Sequence, residues 1–151
     1  MEPPLGRRLW LGHRAVHDAL DQRMGEHGAS IWHWILLRHA AENEGSSQRE
    51  LAERMHIEPP TLVRHLDKLA DEGLVKRRRD DQDRRVARVY LTAAGRKRLK
   101  ELTAVQAEVD DELRSLLTER EIEVLGKTLM RIHEYFGHDK SDEEERDGHQ
   151  R

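Results

Sequence analysis

The sequence predicts a mainly α-helical fold with one small β-hairpin, and three observations favour it. Apolar residues recur at helical spacing along most of the 151-residue chain. Charged residues make up 38% of the chain and aromatic residues only 4%, which is typical of helices with wide solvated faces. In residues 86–91 the spacing changes to a period of two, with Ala87, Val89 and Leu91 on one face, which indicates a half-buried strand.

Glycines, capping residues and prolines mark the first helix boundaries. Two helices are predicted over residues 5–26 and 31–42, and glycines lie near the end of both. Ser47 and Glu50 have the S-x-x-E spacing of a capping box, which predicts the start of a third, short helix.

A fourth helix and a hairpin follow. Pro59 and Pro60 suit the first turn of the helix, where their missing amide hydrogens would have no partner, and Gly73 ends it. Short strands are then predicted over residues 74–76 and 86–91. The charged stretch KRRRDDQDRR between these strands is therefore expected to form the hairpin loop.

The last two helices carry heptad-like apolar seams. Thr92 caps a helix that runs to about Leu117, and Thr118 with Glu121 repeats the capping-box spacing and opens a helix to about Phe136. Such seams pack helix on helix, either within one chain or between two copies. The seam residues are Leu102, Val105, Val109, Leu113 and Leu116 in the fifth helix and Ile122, Leu125, Leu129, Ile132 and Phe136 in the sixth.

Charge is segregated along the chain although the formal net charge is only −3. Residues 46–100 contain fifteen Lys/Arg and nine Asp/Glu, a balance of +6, whereas residues 139–147 contain six acids and two bases, a balance of −4. Attraction to a phosphate backbone depends on the local patch rather than on the sum. We therefore expect a basic middle region and an acidic, disordered tail over residues 138–151.

The composition excludes several kinds of site. The absence of cysteine excludes a disulfide framework, a thiolate nucleophile, a Cys-ligated zinc site and a thiol redox sensor. No apolar run is long enough for a signal peptide or a membrane span, so we expect a cytoplasmic protein. No Ser-His-Asp set, glycine-rich phosphate loop or carboxylate pair stands out, so we expect neither catalytic residues nor a cofactor, and the chain is predicted not to be an enzyme.

The fourth helix has two distinct faces. A capped helix, a tight turn, this helix and a charged hairpin together make a winged helix-turn-helix, which outweighs the alternative of a merely solvated helix face. The apolar face is expected to pack in the core, and it consists of Leu62, Leu66 and Leu69. The opposite face, with Pro60 at its start, carries donors that reach base edges and phosphates, and they are Thr61, Arg64, His65 and Lys68.

The charged hairpin is interpreted as a wing that enters a DNA minor groove. A·T-rich sequence narrows that groove and deepens its negative potential, which attracts arginine. Interspersed aspartates can pair with arginines and hold one at a fixed angle, and Asp83 is the candidate. The alternative is a solvated loop whose ion pairs contribute roughly 0–1 kcal/mol each. The candidate wing residues are Arg77, Arg78, Asp83, Arg84 and Arg85.

Residues 48–95, read as QRELAERM…TLVRHLDKLADEGLVKR…DDQDRRVARVYLTAAG, resemble the MarR family of bacterial transcriptional regulators. The D-x-x-D-R-R wing followed by a strand and L-T-x-x-G is the most specific part, and it is most similar to SlyA-like members. The flanking helices also fit, which extends the resemblance to about residues 5–136.

The resemblance implies a homodimeric winged-helix protein on double-stranded DNA with a pseudo-palindromic operator, and we interpret the chain as a ligand-responsive transcriptional regulator that acts as a repressor. It also implies that Arg85 is the minor-groove residue, with Asp83 as its orienting partner and Arg84 as a phosphate contact. Asp81 replaces the usual turn proline, so we expect a looser wing tip than in relatives. Recognition-helix positions match Thr61, Arg64 and His65, and the backbone-contacting start of the preceding helix matches Ser46, Ser47 and Gln48.

By the same resemblance, residues 1–28 and 100–137 form the helical dimerisation region that flanks a winged helix-turn-helix lobe over residues 29–99. Family members often bind small phenolic or aromatic acids between the dimer helices and this lobe. An arginine beside aromatic rings would suit an aromatic carboxylate. The candidate pocket residues are Trp10, Arg14, His17, Trp32 and His39, although Trp32 and Trp34 could equally be core residues.

Two other functions are compatible with the sequence. His13 and His17 have the i, i+4 spacing that can place two imidazoles on one metal, but HRAVH lacks the glutamate of a zincin. We therefore expect no metal site, and keep a His-dependent metal sensor as an alternative. The other alternative is a winged helix that serves only as a protein-interaction module, which would show no salt-dependent affinity for DNA.

Overall fold

The computed structural model describes residues 2–137, so the acidic tail expected over residues 138–151 lies outside the described residues. Within this range the chain forms six helices and one two-stranded antiparallel sheet, which confirms the predicted mainly α fold with a small β-hairpin. None of these six helices is both long enough and apolar enough to cross a membrane.

The elements follow the predicted order. The helices are α1 (Leu5–Glu26), α2 (Ile31–Glu42), α3 (Gln48–Met55), α4 (Pro59–Asp71), α5 (Ala93–Ser115) and α6 (Glu119–Gly137). The strands are β1 (Val75–Arg79) and β2 (Ala87–Leu91).

The expected helix signals are present. Ser47 Oγ accepts from the Glu50 amide at 3.1 Å while the Glu50 carboxylate accepts from the Ser47 amide at 2.7 Å, so the capping box of α3 is confirmed. Thr118 and Glu121 make the same exchange before α6, and the prolines occupy the first turn of α4. These local bonds satisfy amides that would otherwise have no partner at the start of each helix.

The first strand is longer than predicted. β1 continues through Arg77, Arg78 and Arg79, which pair with Val89, Arg88 and Ala87 of β2. The expectation that the charged stretch after the predicted strand is a loop is therefore wrong for Arg77, Arg78 and Arg79. Strand pairing uses the backbone, and the half-exposed hairpin lets most of the charged side chains reach solvent, so a run of arginines does not prevent it.

The chain divides into two compact units, Met1–Val109 and a second that begins at Asp110. The first unit contains a hydrophobic core to which every element from α1 to the first part of α5 contributes. The least exposed large side chains of this core are Met24, Leu36, Leu37, Leu51, Leu62, Leu66, Leu69, Val89 and Leu102.

The two predicted apolar seams have different environments. In α5, Leu102, Val105 and Val109 are buried in the core of the first unit, so the expectation that the whole α5 seam could face another copy is wrong for these three residues. In α6, by contrast, no residue is buried, and Leu129 and Phe136 are 44% and 68% exposed.

Gly95 allows β1 and α5 to approach closely. A Cβ at this position would lie 2.0 Å from the carbonyl oxygen of Leu74, which already accepts a hydrogen bond from the Thr92 amide at 3.1 Å. No real Cβ contact is that short, so only glycine fits without movement of the backbone.

We predict that Gly95→Ala lowers the free energy of unfolding by roughly 1–3 kcal/mol, because overpacking against backbone forces the helix away from the strand. Gly25→Ala is the matched control, since no atom lies within 4 Å of its added Cβ. It should change stability by less than about 1 kcal/mol. Urea unfolding at equal protein concentration measures both, and equal stabilities would contradict the close approach.

Candidate nucleic-acid interface

The recognition face of α4 is set by its buried leucines. Leu62, Leu66 and Leu69 are at most 1% exposed, and the opposite side of the helix carries the predicted polar side chains. Within that set Thr61 and His65 are half-buried, and the exposed members are Pro60, Arg64 and Lys68. The three-residue turn from α3 includes His56 in the left-handed region, at φ 50°.

The start of α3 is joined to the hairpin. The Ser46 carbonyl oxygen accepts from the Val89 amide at 2.9 Å, and the Gly45 amide donates to the Val89 carbonyl at 3.0 Å. Ser46, Ser47 and Gln48 are half-buried there, and Ser47 also caps the helix. The capping bonds from Ser47 lower the pKa of the Glu50 carboxyl. The segment predicted to contact a phosphate backbone is therefore held in place by β2.

At the wing tip, Asp83 holds Arg85 through three hydrogen bonds. The Nε and Nη2 atoms of Arg85 donate to the two carboxylate oxygens of Asp83 at 3.1 and 3.2 Å, and the Arg85 amide donates at 3.0 Å. Together these bonds lower the pKa of the Asp83 carboxyl, and the side-chain bonds from Arg85 contribute more than the bond from its amide. The Arg85 side chain is nevertheless 91% exposed, so a directed guanidinium points into solvent. Arg84 beside it is also exposed.

A second aspartate, which is not among the predicted wing residues, closes the wing turn. Asp80 accepts from the amides of Gln82 at 2.8 Å and Asp83 at 3.0 Å, and from Arg88 Nε. Arg88 also donates from Nη1 to the Gly45 carbonyl at 2.8 Å. The bond from Arg88 and then the two amide bonds lower the pKa of Asp80 from the usual 3.8 to about 2.

The only sequence signal for this role of Asp80 was its position at the start of a turn, where aspartate side chains often accept from amides two or three residues later. Arg88 gave no signal, because its two partners are brought to it by the hairpin pairing and by the turn before α3.

Two of the predicted wing arginines lie away from the tip. Arg77 donates to the Asp67 carboxylate at 2.6 Å, with a longer contact of 3.5 Å to the Val63 carbonyl, so its side chain is turned toward α4. The Arg78 guanidinium lies 5.7 Å from the centre of the Tyr90 ring. Arg77 thus joins β1 to the recognition helix rather than standing free beside Arg84 and Arg85.

The five candidate ligand residues do not form one site within this chain. Trp10 is 52% exposed on α1 with Arg14 at 5.2 Å over its ring, and His17 is on the same helix. His39 is half-buried near the end of α2. Trp32 alone lines a cavity of about 200 Å³ between α2 and α4, together with Ser30, His33, Leu36, Arg64, His65, Lys68 and Leu69.

The histidine pair of α1 does not make a metal centre with other groups of the described chain. The rings of His13 and His17 are 5.8 Å apart and tilted by 52°. In residues 2–137 there is no group of three or more His, Asp or Glu residues that could hold a metal ion.

Comparison with known proteins agrees with this geometry. The model of the MarR family matches residues 30–87, which include α2, α3, α4, β1 and the wing. A MarR transcriptional regulator from Methanosarcina mazei Go1 is similar at 26% identity and a TM-score of 0.75, over 87% of this chain and 94% of that one.

Two structures solved with DNA also have this fold. S. aureus MepR in complex with DNA is 23% identical with a TM-score of 0.79, over 89% of this chain and 99% of that chain. A mutant E. coli MarR complexed with operator DNA is 23% identical with a TM-score of 0.78, over 85% and 93%. The arrangement of α3, α4 and the hairpin is thus that of a winged helix-turn-helix, and residues 30–87 of this fold match the MarR family.

Proposed function

We propose that this chain is a MarR-family transcriptional regulator, a cytoplasmic, homodimeric repressor that binds a pseudo-palindromic operator and is released by a small aromatic or phenolic ligand. The observation that carries the DNA-binding part is Arg85, which is held by Asp83 through two side-chain bonds and is still 91% exposed. An exposed arginine loses side-chain freedom on binding, and a partner that directs it beforehand reduces that cost.

The other contacts follow from the surfaces beside this tip. Arg64 and Lys68 are exposed on α4, with Thr61 and His65 beside them, and an α-helix with such donors fits the major groove. We assign base reading to Thr61, Arg64 and His65 of α4, and minor-groove insertion to Arg85. Phosphate contacts are assigned to Lys68, Arg84 and the start of α3. The similar MepR and MarR structures contain DNA, which supports the same use of the fold here.

We assign dimerisation to the terminal helical regions, residues 1–28 and 100–137. The apolar side chains of α6 support this, because none of them is buried in the single chain. One winged helix reads only a short half-site, whereas two related by two-fold symmetry read half-sites about one helical turn apart. A palindromic operator then supplies usable specificity.

The cavity between α2 and α4 supports a ligand-responsive function. Its wall combines the rings of Trp32 and His65 with the cations Arg64 and Lys68, which suits a flat molecule that carries a negative charge. Such a ligand would contact the recognition helix itself. It would release DNA if it binds the free protein more tightly than the DNA-bound form.

Selection of bound duplexes from a random library tests the DNA-binding proposal. We expect enrichment of a sequence with two inverted half-sites about 10 base pairs apart. Affinity for the selected duplex should fall steeply with salt, because lysines and arginines release counterions from phosphates. Addition of aromatic acids such as salicylate and benzoate then tests release. A protein-interaction module would enrich no sequence and show no salt dependence.

We predict that Arg85→Ala weakens binding to the selected duplex by roughly 10- to 100-fold, the scale of one lost specific contact. Arg85→Lys should recover only part of the affinity, because it restores the charge without the planar guanidinium fork. Fluorescence anisotropy measures the affinities, and sedimentation should show an unchanged oligomeric state. Unchanged affinity of Arg85→Ala would mean that the wing tip does not enter the groove.

We predict that Arg64→Ala relaxes the base preference at one position of each half-site, at a cost of about 1–3 kcal/mol there. Lys68→Ala is the matched variant on the same face, and should weaken binding to all duplexes alike and reduce the salt slope by about 1. Affinities for a set of single-base-pair variants separate the two outcomes. A uniform loss for Arg64→Ala would reassign it to phosphate.

A further inference from the structure

The recognition helix is in direct contact with an aromatic side chain of α2. The Trp32 indole stacks on the His65 imidazole, with ring centres 5.1 Å apart and planes within 20° of parallel. His65 belongs to the polar face of α4, yet it is only half-exposed because the indole covers one side of its ring. A stack of this kind restricts the rotamer of the histidine before any DNA is present.

The groups around His65 oppose a positive charge on its ring. Arg64 and Lys68 flank it on α4, and His33 faces it from α2. His33 is buried, with Nδ1 close to the Ser30 amide at 3.1 Å and Nε2 close to the Glu72 carboxylate at 3.2 Å. The Ser30 amide must donate, so Nδ1 of His33 accepts, and Nε2 donates to Glu72. Glu72 is therefore engaged by His33 in this arrangement.

The resulting environment lowers the pKa of His65, first through burial and then through the positive charges of Arg64 and Lys68. The ordinary pKa of histidine is about 6.5, so the side chain is mostly neutral at physiological pH. A neutral imidazole offers one donor and one acceptor, whereas the charged form offers two donors and attracts any phosphate. Only the neutral form can match a donor and an acceptor on a base edge.

We propose that Trp32 is a positioning residue for DNA recognition, which holds His65 in one orientation and in the uncharged form that reads bases. This inference rests on the proposed operator binding. It assigns to α2, an element outside the helix-turn-helix pair, a part in sequence discrimination.

The His65 ring provides a direct test that needs no DNA. In NMR titrations of the full-length chain, Trp32→Leu should raise the pKa of His65 toward its ordinary value, because the covering indole is lost. Trp32→Phe should leave it close to the wild-type value, since a phenyl ring can still stack. Trp34→Leu is the matched control, because Trp34 lies under Arg38 and donates to Thr103, whereas the indole that stacks on His65 is that of Trp32. His65→Gln identifies the resonance.

The second test measures discrimination, as the ratio of affinities for the selected duplex and for a scrambled duplex of equal length. Between pH 8 and pH 6 the wild type and Trp34→Leu should retain most of this ratio. In Trp32→Leu this affinity ratio should fall roughly tenfold at pH 6, because protonated His65 binds phosphates of any sequence. In a His65→Gln background, Trp32→Leu should have no such pH-dependent effect.

These outcomes separate the inference from the function on which it rests. If Trp32→Leu and Trp32→Phe, checked for folding by circular dichroism, leave the His65 titration unchanged, Trp32 does not position the ring and the inference is overturned. If the titration shifts but the pH dependence of discrimination does not, His65 does not read bases and the inference is also overturned. If the wild type selects no duplex at all, operator binding fails, while the titration still decides whether the stack controls His65.

Discussion

The burial of three leucines on one side of α4 fixes the direction of every polar side chain on the other side. Leu62, Leu66 and Leu69 are almost completely removed from solvent, and each such side chain stabilises the fold by about 1.5–3 kcal/mol. Rotation of the helix by one residue would expose leucine and bury arginine, and both changes are unfavourable. The orientation of the polar face of α4 is therefore determined by the packing of its leucines in the core.

The wing depends on the same core through polar connections at both of its ends. Arg77 joins β1 to the exposed side of α4 through Asp67, and Arg88 joins β2 to the turn before α3 through the Gly45 carbonyl. The close approach at Gly95 then sets where α5 leaves the hairpin. Because α3, α4 and the hairpin are linked in this way, the two surfaces assigned to the major and minor grooves have a defined spacing within one chain.

The order of the elements could be predicted from the sequence because their signals are local. Ser47 and Glu50, the adjacent prolines and the alternation in β2 each act within a few residues, and the structure has an element boundary or a strand at each of them. The orientation of Arg77, the bonds of Arg88 and the stack of Trp32 on His65 depend on residues that are distant in sequence. No spacing rule identifies them, because the partner of each is determined by tertiary packing. For the same reason, heptad spacing alone does not tell that Leu102, Val105 and Val109 pack within their own chain, where they are core residues.

The wing turn has a consequence for how ion effects on this protein should be interpreted. Asp81 stands where the resemblance to the MarR family implies a turn proline, so no ring fixes a backbone angle there, and the turn is held by the carboxylates of Asp80 and Asp83 against Arg88 and Arg85. Dissolved ions screen solvent-accessible pairs of this kind. Added salt therefore affects the conformation of the wing in the free protein as well as the counterions condensed on the DNA. The number of displaced cations inferred from affinity measurements would exceed the number of phosphates that the protein touches, and neutral osmolytes would not produce this excess.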